Sequence, residues 1–282
     1  MTIQWPRHLV TEIGERRCIF FLGSGVSANA KNTDGIKPKT WEAFLESALT
    51  LVHDEGEQEF IKKLIKESNY LLALQCIQDH SDNGDYKLFM DKEFLEPRFE
   101  PTSIHENIVS IDPKIVITTN FDVIYEKACN DEGHTTVHYY DTNLIETLRS
   151  NQRLTIKAHG SVNNKNKMIF TKRKYAEAKR DYAEFYRILE ALFITNTIIF
   201  VGCGLNDPDI NLLLENISPI TGDSLSHYVL TLDGVNPNLI NDWKESYNIN
   251  TLTYGPKHED LAEDIENLKK LVDEYRFDKK LP

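Results

Sequence analysis

Six short runs of mainly apolar residues punctuate the chain, at Arg17–Leu22, Lys114–Thr118, Leu154–Lys157, Thr197–Val201, His227–Leu232 and Asn250–Tyr254. Several are continuous rather than alternating, and rich in Ile and Val. A strand with one wet face alternates apolar and polar residues. A continuous run is the pattern of a strand covered on both faces, hence of a parallel sheet. Between the runs the apolar positions fall three and four apart, the helical period, over Asp122–Cys129, Asp181–Ile194, Asp209–Asn216, Asn238–Tyr247 and His258–Phe277. Strand and helix in alternation predict an α/β fold with a doubly wound parallel sheet of about six strands.

One connection is far too long for a simple crossover, which needs a dozen or more residues. About ninety residues separate the first run from the second. The segments "WEAFLESALTLV", "EQEFIKKLIKES" and "YLLALQCIQDH" in that interval all carry helical spacing. The expectation is a single domain over residues 1–282. Its Rossmann-like core would span 1–35 and 110–282, with a helical lobe inserted at about 36–109.

Composition narrows the class. The formal charge of −12 repels phosphate backbones, so nucleic acid is disfavoured as a direct ligand. The most basic stretch, Thr171–Arg180, reads either as a phosphate contact or as a solvated face. No run approaches the ~18 apolar residues of a membrane helix, and the first residues lack the apolar core of a signal peptide. Cytoplasmic residence without membrane contact is the expectation. Cys18, Cys76, Cys129 and Cys203 form no close pair, which argues against a zinc cluster.

Chemistry concentrates at the ends of the apolar runs. "GSGVSA", Gly23 to Ala28, fits G-x-G-x-x-A directly after a buried strand and before a helix. In that context glycines allow a tight turn and close approach of a pyrophosphate, which helix N–H groups then bind. A strand-to-helix turn without a ligand is the alternative. No G-x-x-x-x-G-K-[ST] is present, and no second strand ends in an acid about twenty residues on, so a P-loop and a dehydrogenase are both disfavoured. "TTNFD" puts Asn120 and Asp122 at the carboxyl end of the second run, where open α/β sheets bind ligands; Asp122 could equally cap the next helix. His159-Gly160 ends the third run, and Gly202-x-Gly204 ends the fourth, with Pro208 placed for a helix start.

Taken in order, these segments resemble the sirtuin (Sir2) family. Gly23-Ser24-Gly25-Val26-Ser27 is similar to its G-A-G-x-S loop, Thr118-Thr119-Asn120-Phe121-Asp122 to its T-Q-N-x-D, and His159-Gly160 to its His-Gly; "EPTSIHENI" is similar to the segment before the second motif. The four-cysteine zinc module and the acyl-lysine-pairing segment of the deacylases are missing. What remains resembles the Sir2-like NAD-hydrolysing domains of bacterial anti-phage defence, including their G-x-x-x-D-P-[DN] segment at Gly204 to Asp209.

That resemblance implies a NAD glycohydrolase that needs no metal. It implies Asn120 positioning water or a ribose hydroxyl, His159 as general base and Asp122 on the carboxamide. Imidazole suits the base role because its unperturbed pKa is about 6.5. The same resemblance assigns NAD binding to Gly23, Ser24, Gly25, Ser27, Thr118, Gly202, Gly204 and Asp207. A deacylase or ADP-ribosyltransferase, and a non-catalytic NAD-binding module, are the competing readings. An unrestrained NAD hydrolase would drain its own cell, so gating is expected from self-assembly or from a separately encoded partner such as a HerA-type hexameric ATPase. The contact surface would lie on the inserted lobe or on the stripe Leu261, Ile265, Leu268 and Leu271 of the last helix, unless that stripe packs on its own sheet.

Overall fold

Strands β1 (Cys18–Leu22), β2 (Ile115–Thr118), β3 (His134–His138), β4 (Arg153–Lys157), β5 (Thr197–Val201), β6 (His227–Leu232) and β7 (Ile249–Tyr254) form one parallel sheet in the order β3-β4-β2-β1-β5-β6-β7. The structure is a computed structural model that describes residues 2–129, 133–205, 208–221 and 226–281. The doubly wound α/β architecture is as the apolar runs predict, with a seventh strand that they do not announce. β3 is that strand. It lies at the sheet edge and buries only Val137 of "HTTVH", so it never needed an apolar run.

Both faces of the central strands are covered, which is why those strands read as unbroken apolar runs. Ile19 and Phe21 of β1 join one core cluster, under helices that supply Phe185, Leu189, Phe193 and Trp243. Cys18, Phe20 and Leu22 join the other, with Leu9, Ile13, Ile104, Ile108, Ile265 and Leu268. The helix Leu261–Lys279 docks here through Leu261, Ile265, Leu268 and Val272. The expected apolar contact stripe is thus used internally, and Leu271 lies off it, 38% exposed. Among the described residues no helix is long and apolar enough to cross a membrane.

The helices Trp41–Ala48, Glu55–Lys66, Tyr70–Asp79 and Asn83–Phe94 share a third cluster built on Phe44, Leu45, Ile61, Leu74, Ile77 and Met90. Three of them start on side-chain caps: Thr40 accepts from Ala43 N at 3.3 Å, Asp54 from Glu57 N at 2.8 Å and Asp82 from Gly84 N at 2.6 Å. This cluster also takes in Val162, Met168 and Phe170 from the loop after β4, so the lobe rests on the segment that follows His159. The next helix, Ser103–Ile111, packs instead against the sheet with the helices at the two ends of the chain. The helix expected over Asp181–Ile194 is Ala183–Thr195, and a further helix, Lys172–Asp181, precedes it. The basic stretch is therefore a capped helix whose Tyr175 and Ala178 face inward.

Candidate active site

The strand order reverses beside β1: from β1 the chain crosses to β2 and, by way of the edge strand β3, to β4 on one side, then returns past β1 to run outward through β5, β6 and β7 on the other. Ligands of open α/β sheets bind at the carboxyl ends of the strands where such a reversal occurs. The register sets four ends in line there, with Leu22 opposite both Thr118 and Val201, and Thr118 opposite Lys157. Gly23, Thr119, Ala158 and Gly202 therefore leave the sheet side by side. Thr118 is buried and ties the row together. Its Oγ1 donates to Leu22 O at 2.9 Å and accepts from Asn120 N at 3.0 Å.

The glycines at this edge pack against each other. Gly23 N donates to Val201 O at 3.0 Å and Gly25 N to Gly202 O at 2.9 Å. A β-carbon on Gly23 would stand 2.5 Å from Gly202 O, and one on Gly25 2.8 Å from Gly202 Cα. Gly202 itself has φ +66°, and a β-carbon there would stand 2.4 Å from Val26 N. The exits of β1 and β5 cross backbone to backbone, at a separation only glycine permits. Asn120 completes the crossing: its Nδ2 donates to Gly23 O at 3.0 Å and to Ser27 Oγ at 3.4 Å.

Above this edge opens a cleft of about 510 Å³. Ser24, Gly25, Ser27, Asn120, Asp122 and His159 line its sheet side. The opposite wall is aromatic, with Trp41, Phe44 and Phe94 from the lobe and Phe121, Phe170 and Tyr175 beside them. Phe170 sits 4.3 Å from Phe121 and 4.9 Å from Trp41 between ring centroids. Lys39 spans the mouth, its Nζ 2.6 Å from Glu93 Oε1, so the segment after the glycine turn is tethered to the lobe. His159 is only 4% exposed and meets Tyr175 edge to face at 5.1 Å. Its carbonyl accepts from Ile169 N at 2.9 Å, which fixes the loop that carries Phe170.

Under the cleft lie groups that the sequence reading did not pick out. Asp122 turns the chain into the helix Ile124–Ala128, its Oδ1 accepting from Ile124 N at 3.0 Å, so half of the carboxylate is already used. Lys157, fully buried, donates to Asp122 O at 2.5 Å and pairs with Glu126 at 2.8 Å. His105, in "EPTSIHENI", is buried and its Nδ1 accepts from Thr102 N at 3.2 Å. Burial lowers its pKa to about 4 against the opposing pull of the Asp122 charge, so it stays neutral beneath the site.

The structure brings Ser24, Gly25, Ser27, Asn120, Asp122 and His159 into one cleft. Gly23, Thr118 and Gly202 stand behind them as backbone scaffold. Gly204 is exposed and does not line the cleft. Asp207 lies outside the described residues. Among the described residues no group of His, Cys, Asp and Glu is arranged to hold a metal, and the four cysteines form no disulfide.

Residues 114–252 match the family of SIR2-like domains. Over 243 residues, 86% of its length, the chain is 24% identical to the NAD(+) hydrolase ThsA of Acinetobacter baumannii, covering 48% of that protein. Over 214 residues it is 25% identical to the defense-associated sirtuin 2 of Bacillus subtilis, covering 20% of that protein. The chain thus spans half or less of the length of these curated relatives. A solved complex of a Sir2 homolog with NAD superposes at a TM-score of 0.50 over 96% of this chain and 95% of the other, with 12% identity, a likeness of fold.

Proposed function

We propose that this chain, a SIR2-like domain related to the ThsA hydrolases and the defence-associated sirtuins, hydrolyses NAD to nicotinamide and ADP-ribose, and so depletes cellular NAD in anti-phage defence. The observation that carries the reading is the meeting of the Gly23–Gly25 turn, Asn120 and His159 at one cleft. The bond to be broken joins the pyridinium nitrogen to C1′ of the ribose. Nicotinamide leaves with the bonding pair and becomes neutral, so no acid is needed. C1′ gains oxocarbenium character, as in glycoside hydrolysis, and water adds there and loses one proton.

His159 takes that proton, directly or through a ribose hydroxyl. Asn120, with Nδ2 held on Gly23 O, keeps Oδ1 for the water or a hydroxyl. The Ser24 and Ser27 hydroxyls receive the pyrophosphate where it approaches the glycine turn, and the free oxygen of Asp122 takes the carboxamide. The aromatic wall excludes bulk water, so C1′ meets one positioned molecule.

The test is to follow free nicotinamide from NAD alone. Release without an acyl-peptide supports hydrolysis. Release only with the peptide selects a deacylase, and binding without release selects a binding module. Cytoplasmic residence, and gating by self-assembly or by a separately encoded partner of the HerA-type hexameric ATPase kind, belong to the same proposal. With the terminal helix docked internally, the lobe's exposed Phe60 and Leu88 offer apolar contact surface. Nucleic acid is not a direct ligand in this reading, in keeping with the charge of −12. Light scattering that shows a 32.6 kDa monomer with full, constitutive cleavage overturns the gating.

A further inference from the structure

The pyrophosphate of NAD is a dianion, and the whole chain, at a charge of −12, repels it. The glycine turn that it approaches has few donors left. Gly23 N is taken by Val201 O at 3.0 Å, Gly25 N by Gly202 O at 2.9 Å and Val26 N by Gly23 O at 3.1 Å. The helix that opens there, Ser24–Ser27, is about one turn long and adds little dipole. Ser24 and Ser27 offer hydroxyls, which carry no charge. Positive charge must come from elsewhere on the cleft lining. The lysines of that lining are Lys37 and Lys39, set against the carboxylates of Glu93 and Asp122.

The two lysines are held differently. Lys37 donates to Asn29 Oδ1 at 3.0 Å and stands 3.8 Å from Glu259. Lys39 is held by the lobe. Its Nζ lies 2.6 Å from Glu93 Oε1 and donates to Ser47 Oγ at 2.8 Å. The two ends of the pair are unequal. The Glu93 side chain is 14% exposed and belongs to the helix Asn83–Phe94, whereas Lys39 is 40% exposed and lies outside any helix or strand. Glu93 is the fixed post and Lys39 the arm that can move, on a flexible four-carbon stem. A partly exposed ion pair holds weakly, and a charge-assisted bond to a phosphate oxygen competes with it.

We propose that Lys39 is a latch exchanged on substrate binding: Glu93 holds it in the free cleft, and it leaves Glu93 for the pyrophosphate when the dinucleotide enters. The inference rests on the NAD-hydrolase reading and adds to it the group that recognises the diphosphate. Glu93 is then an internal anion that the substrate displaces. The same exchange unties the mouth segment from the lobe, because Lys39 is the contact that joins the segment to Glu93. A ligand without a diphosphate has nothing to offer in place of that carboxylate.

Calorimetric titration with ADP-ribose tests the exchange, since that product keeps the pyrophosphate and is not cleaved. Lys39→Gln should weaken its binding about tenfold, and Lys39→Arg should keep most of the affinity. Glu93→Gln should tighten binding about twofold to fivefold, the weight of a partly exposed ion pair. Rising salt should weaken binding less steeply in Lys39→Gln than in the parent. In a crystal structure of the ADP-ribose complex, Lys39 Nζ should lie on a phosphate oxygen and no longer on Glu93. Unchanged affinity or salt dependence in Lys39→Gln, no gain in Glu93→Gln, or a complex in which Lys39 still holds Glu93 overturns the latch. The two failures separate. Parent protein that binds ADP-ribose but shows none of these responses refutes the latch and leaves the hydrolase reading standing. Parent protein that binds neither ADP-ribose nor NAD refutes the reading, and the latch with it.

Discussion

The crossing of the β1 and β5 exits makes a quantitative prediction. In Gly202→Ala the new methyl group meets Val26 N at 2.4 Å, Gly25 C at 2.8 Å and Gly25 Cα at 3.0 Å, all backbone atoms that no rotamer change can move. Crowding of this kind costs about 1–3 kcal/mol. The left-handed φ of +66° adds about 1–2 kcal/mol for a residue with a β-carbon. The sum is about 2–5 kcal/mol. Gly234→Ala is the control, because φ there is +89° but nothing lies within 4 Å of the added carbon, so only the conformational cost of about 1–2 kcal/mol applies. Urea unfolding followed by circular dichroism should show both midpoints lowered at unchanged slope, with Gly202→Ala lower by a further ~1–3 kcal/mol. If the two variants differ by less than about 0.5 kcal/mol, within ordinary surface-substitution effects, the crossing does not need its glycines. If Gly202→Ala instead keeps full stability but no longer binds NAD, the glycine serves ligand approach alone.

His159→Ala should lower nicotinamide release by about 10²–10⁴ with little change in the unfolding midpoint. Folded protein that turns over NAD at the parent rate refutes the assigned base. Asn120→Ala should lose both activity and about 1 kcal/mol of stability, since Nδ2 supports Gly23 O; loss of activity alone would show that the bond is idle. Lys157→Met leaves Glu126 buried without its cation and should cost about 3–5 kcal/mol, with Glu126→Gln recovering part of the loss; additive effects of the two changes would refute the pairing. His105 and His227 both have pKa values lowered by burial to about 4. Between pH 6.5 and 4 the unfolded chain binds a proton at each that the fold does not. Stability should therefore fall on acidification by about 1.4 kcal/mol per pH unit per histidine. His227→Gln should flatten the measured slope by that amount, and an unaltered slope refutes the assignment.

The central strands were legible because two covered faces leave no room for alternation, and β1 buries all five of its residues. β3 escaped because an edge strand with one buried residue looks like a polar loop. Its β-branched Thr135, Thr136 and Val137 were the available signal. The strand-end residues of the cleft were legible as well, since a parallel sheet puts every carboxyl end on one edge. The aromatic wall was not. Trp41, Phe44 and Phe94 read as ordinary apolar positions of amphipathic helices, and only the packing of the lobe turns them toward the sheet. Tyr175 was hidden in a basic run, although its three-residue spacing to Ala178 marks the inward seam of that helix. Leu271 was misplaced by one position, because the docked stripe continues from Leu268 to Val272.

The central position of β1 also has a consequence during synthesis. Its neighbours in the sheet are strands whose partner residues lie far along the chain: Phe20 pairs with Val116, and Cys18 with Thr197. Contacts of such sequence separation make folding slow, because the loop entropy is spent before the pairing rewards it. A chain leaving the ribosome presents the Gly23–Gly25 turn early, yet cannot set it against Gly202 until about 180 further residues have been made. Asn120 and His159 emerge in between. Chains terminated early therefore present the motif residues without the cleft. In the proposed role of NAD hydrolase, that order of assembly postpones hazard until Gly202 has emerged.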